Sequence, residues 1–590
     1  MRAASAVAVF ALGLGAAAPA AAQDSRDWKQ LTTVGFTVVG DADARDLQRV
    51  GDEIARFRDA LRTMRPNVRV DPDAPLVVVV FRDEGVMRPY KLRDRHGTPM
   101  DYYTAWFGPS PDVNYVVTSA DGLAGDGAGL AFRSYASHVV ARNLRRAPLW
   151  LNQGLTDFYG SFTTRDRDGK TYVGAPVARH VDTFKHLSPV PLADLIATGG
   201  SAGYRRGREE AARASATAWA LTHYLVVGRG GELRPLLGQY LAATEAGEPS
   251  AAAFTRIFGP DLALLEKAVR QHIALLKLPA LVLADARAGD TAAPTPMSEA
   301  DAQQLRADLL VRLGQPALAD PYVSRALAAA PGHAGARVVR ARSLLLQQKP
   351  LEALAALADF GPDGGGRVDV HLTRGTALRQ AERYPEAVAA YRQAAALRPD
   401  SPSIQYELSI ALMGAGEPEA VAAFTRCVTL RPGGDWYQLR QRQGLRLGID
   451  TYLVSDAINW TRLEGWPEDE TTSYVMLIKA ITELRLGKPA DAAATLTEIA
   501  AHHKAGDWVL SLVAFFRSEI AGDALVAKAR DDGQRTEAHA YAGIKASMDG
   551  EREAARRHFA WVRASGRSDY YEYDYVLGEL KRLDRPAAPR

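Results

Sequence analysis

Ser134 and His138 lie four residues apart in the stretch Phe132-Arg-Ser-Tyr-Ala-Ser-His-Val-Val, and on a helix that spacing brings both side chains to one face. A second stretch, Pro148-Leu-Trp-Leu-Asn-Gln-Gly-Leu-Thr-Asp-Phe-Tyr, adds Gln153 and Asp157. Two kinds of chemistry use such groups. A hydroxyl activated by an imidazole, itself oriented by a carboxylate, attacks carbonyl carbon, which would give Ser134, His138 and Asp157 their roles. That chemistry also needs an oxyanion hole and a strained nucleophile turn, and the flanking residues provide no pattern for either. Zinc hydrolysis instead needs imidazole, thiolate or carboxylate ligands, and a carboxylate base beside the bound water. One imidazole, an amide and a hydroxyl make a poor zinc site. Tyr135, with an unperturbed pKa of about 10, is no base at neutral pH.

Together the two stretches resemble the peptidase MA-like family of gluzincin-type metallopeptidases, often joined to tetratricopeptide repeats. In that family one helix carries H-E-x-x-H and the next begins W-L-N-E-G-L-A-E/D-Y/F-Y. Weaker likenesses at Arg88-Pro-Tyr, Asp112-Val-Asn-Tyr and Ser215-Ala-Thr-Ala-Trp-Ala-Leu-Thr-His-Tyr-Leu extend the resemblance across roughly residues 28–276. Its register puts Ser134 at the first metal-binding histidine, Tyr135 at the glutamate base, His138 at the second histidine and Gln153 at the third ligand. Asp157 matches an acidic position that would hydrogen-bond a metal-binding histidine. The resemblance therefore implies a gluzincin-like domain with its site dismantled: no catalytic residue, no cofactor, and no metal, His138 being a vestige. His138 and Asp157 are expected to pair across the two helices as a structural link. A hydrolase with an atypical site around Ser134, His138 and Asp157 is the alternative. If the register holds, Ser134→His, Tyr135→Glu and Gln153→Glu together restore zinc binding.

The elements that position these residues are legible around them. Phe36-Thr-Val-Val and Leu76-Val-Val-Val-Val-Phe read as strands, the second buried on both faces. Between them Leu47, Val50, Ile54, Phe57 and Leu61 recur at helical spacing, and Asn114-Tyr-Val-Val reads as a further strand. Trp150 and Leu151 are expected to anchor the second motif helix in the core. Tyr102, Tyr103, Trp106 and Phe107 form an aromatic cluster read as core or an ordered lid in preference to a peptide groove. Arg142, Arg145 and Arg146 are placed at the solvated end of the first motif helix. His223, on an apolar helix with Trp219 and Leu225, reads as a core histidine. Pro279, Gly289, Pro294 and Pro296 mark residues 279–297 as a linker. Ser298 then offers a helix N-cap, with Asp301 three residues on.

From there the chain repeats. Ala319, Ala353 and Ala387 are spaced by 34, and Ala420 follows at 33. Four residues beyond each stand Val323, Leu357, Tyr391 and Phe424; three further on come Ala326, Ala394 and Cys427. Pro331, Pro399 and Pro432 end the second helices, and Gly375 falls where two helices must approach closely. This pattern resembles the tetratricopeptide repeat over roughly residues 300–434. No single hairpin of that kind buries its apolar stripe alone, so each needs its neighbours. Ala457 and Ala492 mark two degenerate units, and Gly543, Ala555 and Phe559 repeat the spacing of Gly375, Ala387 and Tyr391. The tail from Thr536 to Leu583 resembles the closing unit of periplasmic tetratricopeptide adaptor lipoproteins. Cys427 is expected to be a buried, inert thiol.

The expected fold is thus an α+β N-terminal domain, a small sheet plus gluzincin-like helices, followed by an all-α tetratricopeptide solenoid. Its divisions are a signal peptide at 1–22, a peptidase MA-like domain at 23–278 and the linker at 279–297. Regular repeats occupy 298–434, degenerate helical repeats 435–535, and a closing unit with a terminal helix 536–590. The signal peptide rests on Arg2, the apolar run from Ala6 to Ala18, and Ala20-Ala-Ala before Gln23. No cysteine stands there for a lipid anchor, so the periplasm or the exterior is the expected location. No later segment is apolar enough to span a bilayer. A net charge of +3 over 590 residues gives no net-charge case for nucleic acid. The reading that results is a binding scaffold for a protein or peptide partner, such as a cell-envelope protein or a protease. Self-assembly through repeat stacking is a further option.

Overall fold

A computed structural model describes residues 27–584, except 65–67, 73, 94–96, 102–103, 122–128, 165–169, 198–207, 276, 284–292, 363, 431–433, 451–452, 465–469 and 568–569. The expected signal peptide, Tyr102, Tyr103 and Pro432 lie outside the described residues.

Valine-rich runs form the centre of a six-stranded sheet of order β4-β5-β3-β2-β1-β9. The strands are β1 (Lys29–Thr33), β2 (Phe36–Gly40), β3 (Leu76–Phe81), β4 (Ala105–Gly108), β5 (Asn114–Ser119) and, much later, β9 (Thr295–Pro296). Strands β2, β3 and β5 run parallel; β1, β4 and β9 pair antiparallel with their neighbours. Alternation along a strand divides its side chains between two faces. On one face Val38, Val78, Val80 and Val116 pack in the core that includes α1 (Ala44–Met64) and α2 (Gly129–Asn143). That core also takes in α3 (Leu149–Gly160), α5 (Arg208–Val227) and α6 (Leu262–Ile273), with α4 (Ala178–His186) at its side.

The other face is covered by the repeats. Val39, Val79, Phe81 and Val117 share a core with Leu305, Leu309 and Leu310 of α7 (Glu299–Arg312) and with Ala319 and Val323 of α8 (Pro316–Ala329). A helix laid on a mixed sheet must bury an apolar stripe there, and the first repeat hairpin supplies it. The described ends of the region 279–297, expected as a linker, accordingly pair as strands. Leu281–Leu283 is a strand, β8, which with β6 (Thr163–Thr164) and β7 (Thr171–Val173) makes a second small sheet. Its other end is β9, and the Met297 amide donates to the Trp28 carbonyl at 2.8 Å. A sheet edge holds unpaired amides and carbonyls that capture a passing extended chain. Proline-rich sequence did not prevent it, because an edge strand tolerates a residue without an N–H.

Buried charge locks the same junction. Asp112, in the loop before β5, accepts from Arg312 Nη2 at 2.8 Å and from Arg342 Nη2 at 2.7 Å. The Tyr115 hydroxyl donates to Asp308 at 2.8 Å, and Asp308 in turn accepts from Arg312 Nε at 2.8 Å. Burial works against a charged Asp112, yet Arg342 and Arg312 hold its carboxyl well below the usual carboxylate range. Tyr90 joins in: its ring stacks on Phe81 and its hydroxyl accepts from Arg306 at 3.1 Å.

Ser298 caps α7 by accepting from the Asp301 amide at 3.1 Å. Three further hairpins follow: α9 (Ala334–Leu346) with α10 (Pro350–Ala356), α11 (Val368–Gln380) with α12 (Tyr384–Leu397), and α13 (Pro402–Gly414) with α14 (Glu419–Leu430). Ala319, Ala353, Ala387 and Ala420, with Val323, Tyr391, Phe424, Ala326, Ala394 and Cys427, are fully buried between helices. Pro331 and Pro399 stand just beyond α8 and α12. A Cβ on Gly375 would lie 2.7 Å from the Tyr391 ring, and one on Gly543 2.5 Å from the Phe559 ring, so both crossings require glycine.

The helices beyond α14 are α15 (Gly434–Leu447), α16 (Leu453–Glu464), α17 (Thr471–Arg485), α18 (Pro489–Ala501), α19 (Trp508–Phe516), α20 (Gly522–Lys528), α21 (Asp532–Met548), α22 (Arg552–Ser565) and α23 (Tyr571–Asp584). They do not continue as an open solenoid. The last helix returns to the first of this set: Tyr571 donates to the Gln438 carbonyl at 2.8 Å, and Arg582 Nη1 to Asp450 at 2.8 Å. Arg485 adds an ion pair to Glu579 at 2.6 Å, and one core runs from Leu445 to Leu583. Ala457, Ala492, Ala555 and Phe559 are buried within this closed part.

Candidate functional site

Helix α2 presents Ser134, Ser137 and His138 to a cleft of about 450 Å³, bounded on the far side by the repeat helices. Tyr135 points the opposite way. Its ring is fully buried, stacked on Phe107 at 5.2 Å, and its hydroxyl donates to the Val70 carbonyl at 3.4 Å. Burial pushes the Tyr135 phenol up from its ordinary value, so it serves as core and not as a base. Phe107 sits between Tyr135 and the His138 ring, 5.5 Å from the latter. Trp106 is likewise core, its indole donating to the Tyr90 carbonyl at 2.9 Å. Both belong to β4 and pack in the core, although Phe107 also borders the cleft.

The expected pairing of His138 with Asp157 does not form. Asp157 is buried on α3 and accepts from Arg133, from Arg179 and, at 2.8 Å, from His180 Nε2. Arg133 also donates Nη2 to the Gln153 side-chain carbonyl at 3.0 Å. Burial opposes a charged Asp157, but the His180 hydrogen bond and Arg133 hold it well below the usual carboxylate range. Burial lowers the His180 pKa, so this imidazole is neutral near pH 7 and donates its Nε2 proton. Asp157 therefore orients no imidazole on α2, and the Ser134–His138–Asp157 relay is not assembled.

These residues do not fit zinc either. A guanidinium occupies the place where Gln153 and Asp157 converge, and a dication beside it would meet direct repulsion. Among the described residues, no three His, Cys, Asp or Glu side chains gather as a metal site would need. Restoring zinc would require removal of Arg133 in addition to Ser134→His and Gln153→Glu. Tyr135→Glu would set a carboxylate against Phe57, Phe107 and the sheet, at the cost of burying charge.

The second motif stretch is mainly architecture. Trp150 is fully buried, stacked on Tyr240 at 6.0 Å and edge-on to Phe254 at 5.9 Å. A Cβ on Gly154 would lie 2.0 Å from Thr222 Oγ1 and 2.6 Å from the Ala218 carbonyl. Glycine at that point is what lets α3 and α5 touch. His223, on α5, is fully buried, with Nδ1 2.7 Å from His272 Nε2 and Nε2 2.9 Å from the Gly174 carbonyl. Burial lowers its pKa to about 4, so it is a neutral core histidine.

The basic run is not simply solvated. Arg142 lines the cleft, Arg145 Nη1 donates to the Thr429 carbonyl at 3.3 Å, and the Arg146 amide donates to Glu245 at 2.8 Å. Sequence reading missed Arg133, Arg179 and His180 as the partners of Asp157. The available signal was a cation, Arg133, directly beside Ser134.

Two family profiles match the chain, one described as a tetratricopeptide repeat over residues 305–364 and one as a TPR repeat over residues 375–416. Both fall on the hairpins from α7 to the start of the fourth. No curated protein matches the chain. No helix among the described residues is long and apolar enough to cross a membrane.

Proposed function

We propose that the protein is an exported scaffold that binds other polypeptides and performs no peptidase chemistry of its own. Tetratricopeptide hairpins present concave helical surfaces suited to extended peptides and partner helices, and their match is the observation that carries this reading. The N-terminal domain keeps the outline of a peptidase MA-like domain, with Arg133 standing in for the metal as the link between Gln153 and Asp157. The sheet and the first hairpin share one core, so the two parts offer a partner one continuous surface.

The test uses the purified full chain. Zinc content, cleavage of an unstructured protein and capture of an envelope polypeptide are measured on the same preparation. A specific captured partner without stoichiometric zinc or cleavage is expected. Stoichiometric zinc that disappears with His138→Ala, together with cleavage, overturns the non-catalytic reading.

A further inference from the structure

The cleft between α2 and the repeats is cationic. Arg69, Arg142, Arg145 and Arg398 line it together with Arg133, against the carboxylate of Asp400. Asp157 takes the charge of Arg133, while Asp400 is 63 % exposed and lies 3.8 Å from Arg426. Arg145 gives one N–H to a neutral carbonyl, and the Nε of Arg398 is buried without an acceptor. Among the described residues, no carboxylate lies within ion-pairing distance of Arg69, Arg145 or Arg398.

These arginines come from distant segments. Arg69 precedes β3, Arg142 lies in the last turn of α2 and Arg145 just beyond it, and Arg398 follows α12. The junction between sheet and repeats forces them together, and converging like charge favours an anionic occupant. Helix α13 begins in the same space, with Ser401 as its N-cap, so its positive end adds to the field. Apolar lining from Phe107 and Leu430 separates the charges. A nucleic-acid strand fits poorly, because Phe107 is 8 % exposed and already stacked on Tyr135, leaving bases no platform.

We propose that this cleft binds an acidic segment of a partner polypeptide, with its carboxylates bridging Arg69 and Arg145 on one side to Arg398 on the other. The proposal rests on the scaffold reading and specifies its partner. The probe is a labelled peptide in which Glu alternates with Leu and Ala, beside the same peptide with Lys for Glu. Both are titrated into the full chain by fluorescence anisotropy at low and moderate salt, with a single-stranded oligonucleotide as a third ligand.

The acidic peptide is expected to bind, to weaken with salt, and to lose about tenfold in affinity with Arg398→Gln, the value of one charge-assisted hydrogen bond. Arg69→Gln, on an exposed side chain, is expected to weaken binding by a smaller factor without touching the fold. It carries the test should Arg398→Gln unfold by circular dichroism. Equal binding of the Lys peptide, tighter binding of the oligonucleotide at the same arginines, or folded variants that bind unchanged each overturn the proposal. If the acidic peptide fails while the chain still holds an envelope partner, this inference falls and the scaffold reading stands. If no partner is held at all, both fall.

Discussion

Asp157 and Asp112 are both buried carboxylates facing two guanidiniums, yet their partners come from very different distances. Arg133 and Arg179 lie 24 and 22 residues from Asp157, whereas Arg312 and Arg342 lie 200 and 230 residues from Asp112. The first cluster holds neighbouring helices of one domain in place. The second joins a sheet to a helical repeat array. Water also reaches them differently: Arg179 is about half exposed, while Arg312 and Arg342 are mostly covered. A buried charge cluster between two parts of a chain fixes their orientation only if neither part can satisfy it alone. Asp112 meets that condition, and Asp157 does not.

The sharpest way to break this contrast is Asp112→Ala. It removes one of the two carboxylates that Arg312 and Arg342 share, leaving Asp308 alone beside two covered guanidiniums, and loss of one partner of a buried ion pair costs about 3–5 kcal/mol. Denaturant unfolding should show that loss, together with separation of the sheet and repeat transitions. A single transition of unchanged midpoint would deny Asp112 its joining role. Asp157→Asn should cost less, about 1–3 kcal/mol, because Arg179 can turn to solvent. It should leave the two parts unfolding together.

The two sites also predict a common pH dependence. Both carboxyls are held well below the usual range in the folded chain. Their stabilisation is therefore fully present above the ordinary aspartate range and is lost as pH falls through that range toward the folded values. Acid titration of unfolding should show a steep loss in the parent and a shallower one in Asp112→Asn, with a smaller change in Asp157→Asn. Glu537 supplies the opposite case. It is buried in the closed part, accepting from Tyr474 at 2.9 Å and Trp508 at 2.6 Å, and burial with nearby Glu572 pushes it up to about 9. Its contribution is complete below the ordinary glutamate range and is lost as pH rises toward about 9. Glu537→Gln should flatten that alkaline slope, the smallest of these effects, read by thermal unfolding at several pH values.

Much of this was legible from local pattern. The spacing of Ala319, Ala353, Ala387 and Ala420 identified the hairpins, and Gly375 with Gly543 marked the crossings. A period reports on packing between neighbours, and neighbours in a repeat are close in sequence. The site was only half legible. Residue types at 134, 135 and 153 suggested an incomplete zinc-binding set, but not that Arg133 links Asp157 to Gln153. Nor did they show that Tyr135 turns into the core while Ser134 and His138 face the cleft. Proline content suggested a linker at 279–297, where sheet edges instead bind the chain at β8 and β9.

By itself, then, the sequence determined the helical repeats, the strands with their two apolar faces, and the absence of a complete H-E-x-x-H motif. Those properties depend on residue type and short-range spacing. Tertiary structure alone decided what covers the second face of β3, which arginines neutralise Asp112 and Asp157, and where the terminal helix closes. It also decided that arginines from three segments share one cleft in which Asp400 is the carboxylate among the described lining residues. Contacts across hundreds of residues leave no periodic trace, because burial and charge compensation are satisfied by whichever surface the fold brings near.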